Sequence, residues 1–424
     1  MTVAQVAAAA IVSRGWVSLM AMFSHAFITP YDTSAIAHSK SIFSAFAAWD
    51  GVYFVGIADQ GYRYENTHAF FPLFPLLVRW TSPLMLPFLD KNASLLAAGW
   101  LISNASFVVA AVFLYLLGLE VLKTESVAKR AALLFCICPS GIFMSACYSE
   151  SLMCALTFSG MYLLERSRTA RRASGPMFLI FSALLFGLSS ATRSNGILHS
   201  LYIAYYQVLA SPHPVRAFPQ FVAHWTFTAS LGAIAIGFQV AYFLHGIAAY
   251  CASYASAMQV VRSVFHIAPS ALAADRPWCS QVVPNFTAMY MFIQREYWGV
   301  APFAYYELKQ IPNFLLAAPM LALAGYTSYI GCIVRPPPPF ESTRPYFVHV
   351  AFLLVNVLVV VHIQVVTRFL AASPPIFWAA SYLTSPDAKR QSRVHPVVTH
   401  GVVLYFLVFN VVGATLFPTF YPWT

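Results

Sequence analysis

An all-α polytopic membrane protein is the fold class this sequence predicts, and three observations predict it. The 424 residues are 59% hydrophobic and only 9% charged, with a mean hydropathy of +0.68, too apolar for a chain whose whole surface meets water. Apolar stretches near the roughly 20 residues that cross a bilayer core of about 30 Å recur from end to end, with room for roughly ten or eleven. Short basic groups punctuate them: Lys123/Lys129/Arg130, Arg166/Arg168/Arg171/Arg172, Arg335/Arg344 and Lys389/Arg390/Arg393. Each group follows one apolar stretch and precedes another, which places these loops in the cytoplasm by the positive-inside rule. The same loops account for the net charge of +10. The basic residues form no long run and no nucleic-acid-binding motif, so a nucleic-acid partner is excluded.

The first span runs from about Ala4 to Phe27 and contains Arg14. An Arg at a helix centre costs about 2.5–3.5 kcal/mol on insertion scales, so Arg14 must face protein, water or a headgroup. No basic segment precedes this stretch, which therefore reads as a retained span rather than a cleaved leader. Residues 28–91 are too polar and too rich in Pro to cross, and form a first long loop on the side opposite the basic groups. Within it Phe46 to Gln60 reads as a short amphipathic helix on the membrane surface, with Phe46, Trp49, Tyr53 and Ile57 at helical spacing. Ser94 to Leu119 is the second span. Residues 131–147 and 150–164 read as two short helices joined at Tyr148-Ser149-Glu150. Met177–Thr192 and Gly196–Ala210 repeat that pattern around Arg193-Ser194-Asn195.

Phe221 to Phe243 spans again, and the apolar stretch after it, to Val261, is either a further span or a re-entrant segment. Residues 262–311 form a second long loop. Pro312–Val334, Tyr346–Val361, Phe369–Tyr382 and Val397–Leu416 complete the bundle, with the Pro336–Pro339 run as a stiff turn. There is no internal repeat and no soluble domain, so 1–424 reads as one integral membrane domain. Of the seven cysteines, Cys136, Cys138, Cys147, Cys154 and Cys251 lie in apolar runs and read as small core hydrophobes. Cys279, in the second loop, is the one candidate for a disulfide.

With the basic loops in the cytoplasm, Asp50, Glu65, His68, Glu150, Arg193, Asn195, His362, Gln364 and Arg368 all fall on or near the opposite face. Asp50 is a carboxylate among aromatics in a chain poor in acids, which makes it a candidate general base. Glu65 and His68 suit acid/base work or an anionic group, and equally suit bracing of their own loop. Arg193, His362 and Arg368 lie between apolar helices, as a phosphate clamp or as interfacial anchors. His362 and Arg368 share no helix face unless the helix breaks between them. Glu150, near a helix start, complements the helix dipole on its simplest reading. Asp59 and Asp275 read as solvated loop carboxylates. No DxD-type motif, P-loop or Gly-rich nucleotide turn is present, which argues against a nucleotide-sugar donor and its metal, so no cofactor is expected. Of three glycosylation sequons, at Asn92, Asn104 and Asn285, Asn285 is the plausible acceptor.

The motifs Trp49-Asp50-Gly51-Val52-Tyr53-Phe54, Gly61-Tyr62-Arg63-Tyr64-Glu65, His68-Ala69-Phe70-Phe71-Pro72-Leu73-Phe74-Pro75, Tyr148-Ser149-Glu150, Thr192-Arg193-Ser194-Asn195-Gly196, Tyr297-Trp298, Pro312-Asn313-Phe314 and His362-x-Gln364-x-x-Thr367-Arg368 together resemble the GPI mannosyltransferase 2 family. Each is weak alone, and the ordered set is specific. It runs from about residue 46 to 378, with none from about 211 to 262. The resemblance implies a GT-C fold in the endoplasmic reticulum membrane with a lumenal active site. It implies transfer of mannose from dolichyl-phosphate-mannose to the first mannose of a glycosylphosphatidylinositol precursor in α-1,6 linkage, without a metal. With such a donor, position and chemical type make Asp50 the expected base and Arg368, Arg193 and His362, at helix ends on the lumenal side, the expected phosphate ligands. Glu65, His68, Glu150, Asn195 and Gln364 orient the acceptor or brace the loops, and Trp49, Tyr53 and Trp298 line the sugar site. The partners expected are the two lipid-linked substrates, membrane lipids and a small accessory membrane subunit. The alternatives are another GT-C mannosyltransferase using a lipid-linked sugar, a non-catalytic subunit of a glycosylation complex, and a transporter or flippase. A transporter would more usually show repeated halves and midplane polar groups.

Overall fold

The computed structural model describes residues 2–32, 41–170, 174–267, 275–283, 285–334, 340, 343–385 and 396–423. Arg171, Arg172, Arg335, Lys389, Arg390, Arg393 and the Pro336–Pro339 run lie outside these residues. All regular structure among the described residues is helical.

Helix α1 (Val3–Phe27) starts at a reciprocal cap, in which Thr2 Oγ1 accepts the Gln5 N–H at 3.3 Å and Gln5 Oε1 accepts the Thr2 N–H at 2.9 Å. The first long loop carries α2 (Gly51–Gln60) and α3 (Leu73–Thr81). Asp90 Oδ1, accepting the Ala93 N–H at 2.9 Å, then caps α4 (Lys91–Leu122). There follow α5 (Glu125–Cys136), α6 (Glu150–Thr169), α7 (Gly175–Ser190), α8 (Ser200–Leu209) and α9 (Phe218–Tyr250). The second loop holds α10 (Gln259–Val264) and α11 (Ala288–Glu296). The last part comprises α12 (Ile311–Ser328), α13 (Arg344–Val359), α14 (Val366–Phe369), α15 (Pro374–Leu383) and α16 (Pro396–Leu416). Pro stands in the first turn of α7, α9, α12, α13 and α15, where its missing N–H has no intrahelical partner to lose.

Among the described residues five helical stretches are long and apolar enough to cross a membrane: Val3–Phe27, Lys91–Leu122, Phe218–Tyr250, Leu308–Ile333 and Pro396–Thr419. The other expected spans are shorter. At about 1.5 Å per residue, α5, α8 and α15 each rise less than about 20 Å and stop short of a full crossing. Helices α5 and α15 are largely buried inside the bundle, whereas α8 buries one face, Tyr202, Ile203, Tyr206 and Gln207. Helix α6 packs between α4 and α7, α5 lies against α4 and α15, and every residue of α15 is buried. Phe107 of α4 stacks on Phe135 of α5 at 4.6 Å, and Phe377 of α15 meets Phe135 edge-on at 5.1 Å. Several boundaries therefore move. The helix expected over 131–147 stops at Cys136, because Pro139 and Gly141 follow. The span expected over Phe369–Tyr382 is α14, a turn and α15. The stretch after α9 is not another crossing. It extends α9 to Tyr250 and then breaks into short turns and α10, and Cys251, read as a core hydrophobe, is bonded to Cys279.

Phe46 to Gln60 is not one surface helix either. A 3-10 turn covers Ile42–Phe46, and Trp49 sits at φ +56°, a left-handed conformation uncommon for a side chain of its size. Helix α2 begins only after Asp50. Phe54, Val55, Ile57 and Ala58 are buried within the protein while Trp49 is 42% exposed, so the anticipated stripe is split.

Residues 137–149 are irregular backbone that is buried throughout apart from the half-buried Ile137, which bilayer physics allows only where protein satisfies the polar groups. Arg14 does much of this. Its guanidinium donates to Gly141 O at 2.6 Å, Ser145 Oγ at 3.1 Å and Cys136 O at 3.3 Å, and lies 3.8 Å from the Phe107 ring centroid. Ser13 Oγ also donates to Cys136 O, and Asn410 Nδ2 donates to Cys138 O at 3.0 Å. The isolated Arg of the first span is thereby assigned to protein rather than to water or lipid.

Candidate active site

The irregular 137–149 segment delivers Tyr148 and Glu150 to the first loop. Cys147 N–H donates to Phe46 O at 2.8 Å, and the Asp50 N–H donates to the Tyr148 hydroxyl at 2.9 Å. Asp50 occupies the cap position of α2 but makes no cap hydrogen bond with its side chain. Its carboxylate turns instead to Arg368, whose Nη1 donates to Oδ2 at 2.6 Å. The same Nη1 lies 3.9 Å from Glu150 Oε1, and Glu150 Oε1 also accepts from Arg193 Nη1. Asp50, Arg368, Glu150 and Arg193 thus form one alternating chain of two carboxylates and two guanidiniums.

Exposure differs along this chain. Glu150 is 1% exposed at its side chain, Arg368 19%, Arg193 24% and Asp50 25%, so the chain is buried at Glu150 and partly open at both its Asp50 and Arg193 ends. The Arg368 guanidinium lies 5.2 Å from the Phe143 ring and 5.7 Å from the Tyr148 ring. Burial works against its charge, but Asp50, Tyr148 and Glu150 more than offset this and hold its pKa above the ordinary value. Arg193 is set by the turn after α7. Gly196 there packs so closely on the end of that helix that a Cβ would strike Ser189 O and Ser190 N, and only glycine fits.

An aromatic wall adjoins Asp50. Tyr53, one turn along α2, stacks on Phe70 at 4.8 Å and meets Trp298 of the second loop at 5.5 Å, and Trp298 also meets Phe70 at 5.6 Å. Gly299, next in sequence, offers its carbonyl to His362 Nε2 at 3.4 Å. His362 stacks on Tyr305 at 4.6 Å, whose hydroxyl donates to Gln364 Oε1 at 3.0 Å and accepts from Asn313 Nδ2 at 2.7 Å. The rim therefore runs from Asp50 through Tyr53 and Trp298 to His362 and Gln364. Between His362 and Arg368 the chain forms a 3-10 turn, Ile363–Val365, so the two residues are not on one continuous helix.

Residues 17–337 and 340–424 match the family described as Mannosyltransferase (PIG-V). The chain belongs to this family. Similar proteins include the mouse GPI alpha-1,6-mannosyltransferase 2, 32% identical over 91% of this chain and 89% of its own, and the human protein of that name, 30% identical over the same shares. GPI mannosyltransferase 2 of Drosophila pseudoobscura is 32% identical over 89% of this chain and 86% of its own. Among solved structures, the Archaeoglobus fulgidus oligosaccharyltransferase tethered to an acceptor peptide superposes with a TM-score of 0.50 at 12% identity. That match covers 95% of this chain, which spans 55% of the archaeal protein. The architecture is the GT-C fold. The chain is a multi-pass membrane glycosyltransferase, an α-1,6-mannosyltransferase.

Within this mannosyltransferase the candidate residues separate into three groups. Asp50, Arg368, Glu150 and Arg193 come together, and Tyr53, Trp298, His362 and Gln364 line the adjoining rim. Trp49 stands beside Asp50 and packs on Phe420 at 5.9 Å, and Asn195 follows Arg193 in its turn. Glu65 and His68 lie in a separate cluster. Glu65 accepts from Trp278 Nε1 at 2.6 Å and the Tyr297 hydroxyl at 2.7 Å, with Arg276 at 3.7 Å. His68 is fully buried against Tyr62, Tyr242, Tyr250 and His245. Burial, then the neighbouring His245, lower its pKa to about 3. Together with the Cys251–Cys279 bond, this cluster ties the second loop over the first. Of Asp59 and Asp275, the former pairs with Lys91 at 2.6 Å and the latter accepts the Ser253 N–H at 3.0 Å. Tyr148, Phe143 and Tyr305 belong to the site without having been singled out as ligands. For Tyr148, its place beside Glu150 in the motif was the available clue.

Proposed function

We propose that this mannosyltransferase moves mannose from dolichyl-phosphate-mannose to the first mannose of a glycosylphosphatidylinositol precursor. The new bond is α-1,6, and the reaction occurs on the lumenal face of the endoplasmic reticulum membrane. The name shared by the mouse and human relatives supports the acceptor and the linkage. The observation that carries the mechanism is the partly exposed Asp50 carboxylate held at 2.6 Å by Arg368, with the Glu150–Arg193 pair behind it.

Asp50 accepts the proton of the acceptor 6-hydroxyl as that oxygen attacks the anomeric carbon. The bond from that carbon to the donor's phosphate oxygen breaks, and dolichyl phosphate departs with the electron pair. One inversion turns a β-linked donor into an α product. Arg368 and Arg193, with His362 at the rim, meet the charge that grows on the phosphate. Tyr53, Phe70 and Trp298 supply apolar faces for the sugar. The guanidiniums do the neutralising that a divalent ion does for a nucleotide-sugar donor, so the reaction needs no metal.

The test is mannose transfer from dolichyl-phosphate-mannose to a mono-mannosylated precursor in membranes, comparing wild type with Asp50→Asn at matched expression. Activity in wild type and its loss in the variant is the expected result. Equal activity in both would move the base elsewhere, and transfer only to a different lipid-linked acceptor would replace the substrate.

A further inference from the structure

A base locked in an ion pair is a poor base. Asp50 Oδ2 already accepts a charge-assisted hydrogen bond of 2.6 Å from Arg368, and that contact must loosen before the carboxylate can take a proton. The structure also contains a place for the guanidinium to go. Glu150 is 1% exposed, and its Oε2 is buried with no hydrogen-bond partner. A buried carboxylate oxygen left without a donor is costly and calls for an explanation.

We infer that Glu150 is the receiving carboxylate for Arg368. When the donor phosphate arrives, the guanidinium leaves Asp50, engages Glu150 and the phosphate together, and frees Asp50 to accept the acceptor's proton. The inference rests on the function proposed above, with Asp50 as base.

The geometry favours movement of the arginine over movement of either acid. Arg368 Nη1 is 3.9 Å from Glu150 Oε1, the oxygen that also accepts from Arg193, so a displacement of about 1 Å brings it to charge-assisted distance of a carboxylate whose other oxygen has no donor. Glu150 is held at the first turn of α6 by Arg193. Asp50 is held by the hydrogen bond from its own N–H to Tyr148. Arg368 sits on the four-residue α14, and the Phe143 and Tyr148 rings lie along its guanidinium, giving a surface on which it slides. The resting chain pairs two guanidiniums with two carboxylates. The arriving phosphodiester adds one negative charge, and the second charge that forms on the phosphate as its bond to the sugar breaks appears as Asp50 loses its own by protonation. Glu150 touches neither sugar nor phosphate in this scheme and is a positioning residue.

The test uses the full chain in detergent, monodisperse, with both lipid substrates, and compares Asp50→Asn, Glu150→Gln, Arg193→Gln and the double variant E150Q/R193Q. If Glu150 serves only to neutralise Arg193, then adding Glu150→Gln to the Arg193→Gln protein has no further effect. If it receives Arg368, kcat falls by a further factor of about 100 in that background and the donor KM rises, while the acceptor KM stays within about threefold. Should Glu150→Gln not yield monodisperse protein, Glu150→Asp retains the charge one methylene further back. It is expected to lower kcat about tenfold at unchanged acceptor KM, and unchanged kcat overturns the inference. An inactive Asp50→Asn with no added cost of Glu150→Gln removes the role of Glu150 and leaves the base in place. An active Asp50→Asn removes the base reading itself.

Discussion

Replacing Arg368 by Ala separates the two jobs assigned to it. In the resting site it neutralises Asp50 at 2.6 Å, and in the proposed transfer it faces the departing phosphate. A guanidinium about 4 Å from one unit of phosphate charge contributes roughly 4 kcal/mol at an effective dielectric constant near 20. That corresponds to about a thousandfold in rate, close to what removal of one preorganised donor costs in other enzymes. A partial offset opposes it, because Asp50 without its counter-charge is a stronger base, and that returns about a factor of ten. The net expectation is a fall of about a hundredfold in kcat/KM for dolichyl-phosphate-mannose, with a raised donor KM. Folding should suffer less, by about 1–3 kcal/mol, since the abandoned Asp50 side chain is 25% exposed and Glu150 keeps Arg193. The assay is initial-rate transfer against donor concentration at matched expression, with thermal melting in detergent alongside. An Arg368→Ala protein with normal apparent affinity for the donor lipid would refute the contact with phosphate.

Three other expectations concern the frame around the site. Gly196→Ala drives a methyl group into Ser189 O and Ser190 N. It should cost about 1–3 kcal/mol in a melt and displace Arg193, reducing transfer even in protein that remains folded. Glu65→Ala leaves the Trp278 indole and the Tyr297 hydroxyl without their acceptor. About 1–3 kcal/mol should be lost locally, visible as faster proteolysis of the second loop, and unchanged cleavage would dismiss the bracing role. His68 is held neutral with a pKa of about 3, against about 6.5 unfolded. The unfolded chain therefore binds the extra proton between those values. The His68 contribution is fully present above about pH 6.5 and is lost below it by up to about 1.4 kcal/mol per pH unit, until the folded pKa is reached. A melting series from pH 7.5 to 4.5 should show this slope in wild type and a shallower one in His68→Gln.

The helical membrane class was legible because composition and the spacing of basic groups bear on it directly. Asp50 stood out for a related reason, as a carboxylate among aromatics in a chain poor in acids, and the structure places it in the ion-paired cluster. What hydropathy does not report is where a buried helix stops. The break at 137–149 arises from Pro139 and Gly141 and is satisfied by Arg14 and Asn410, groups distant in sequence. The pairing of Asp50 with Arg368 crosses 318 positions, so Arg368 read as a phosphate ligand or interfacial anchor and its partnership with Asp50 was out of view. Glu150 read as a dipole complement because only its own helix was in view. It does lie in the first turn of α6, but Arg193 and Arg368 give it a wider electrostatic role.

Arg14 also bears on the order in which the chain assembles. The first span to emerge carries the guanidinium that the carbonyls of Cys136 and Gly141 use, more than a hundred residues before those carbonyls are made. Until that later segment arrives, Arg14 has to remain hydrated or at a headgroup. Until α1 docks, the irregular backbone cannot rest in hydrocarbon. Neither piece is stable at membrane depth without the other, so the bundle closes around them as one event. Tyr148 reaches Asp50, and Glu150 reaches Arg368, only once it has closed, and an assembled ion-paired cluster becomes a report on completed insertion.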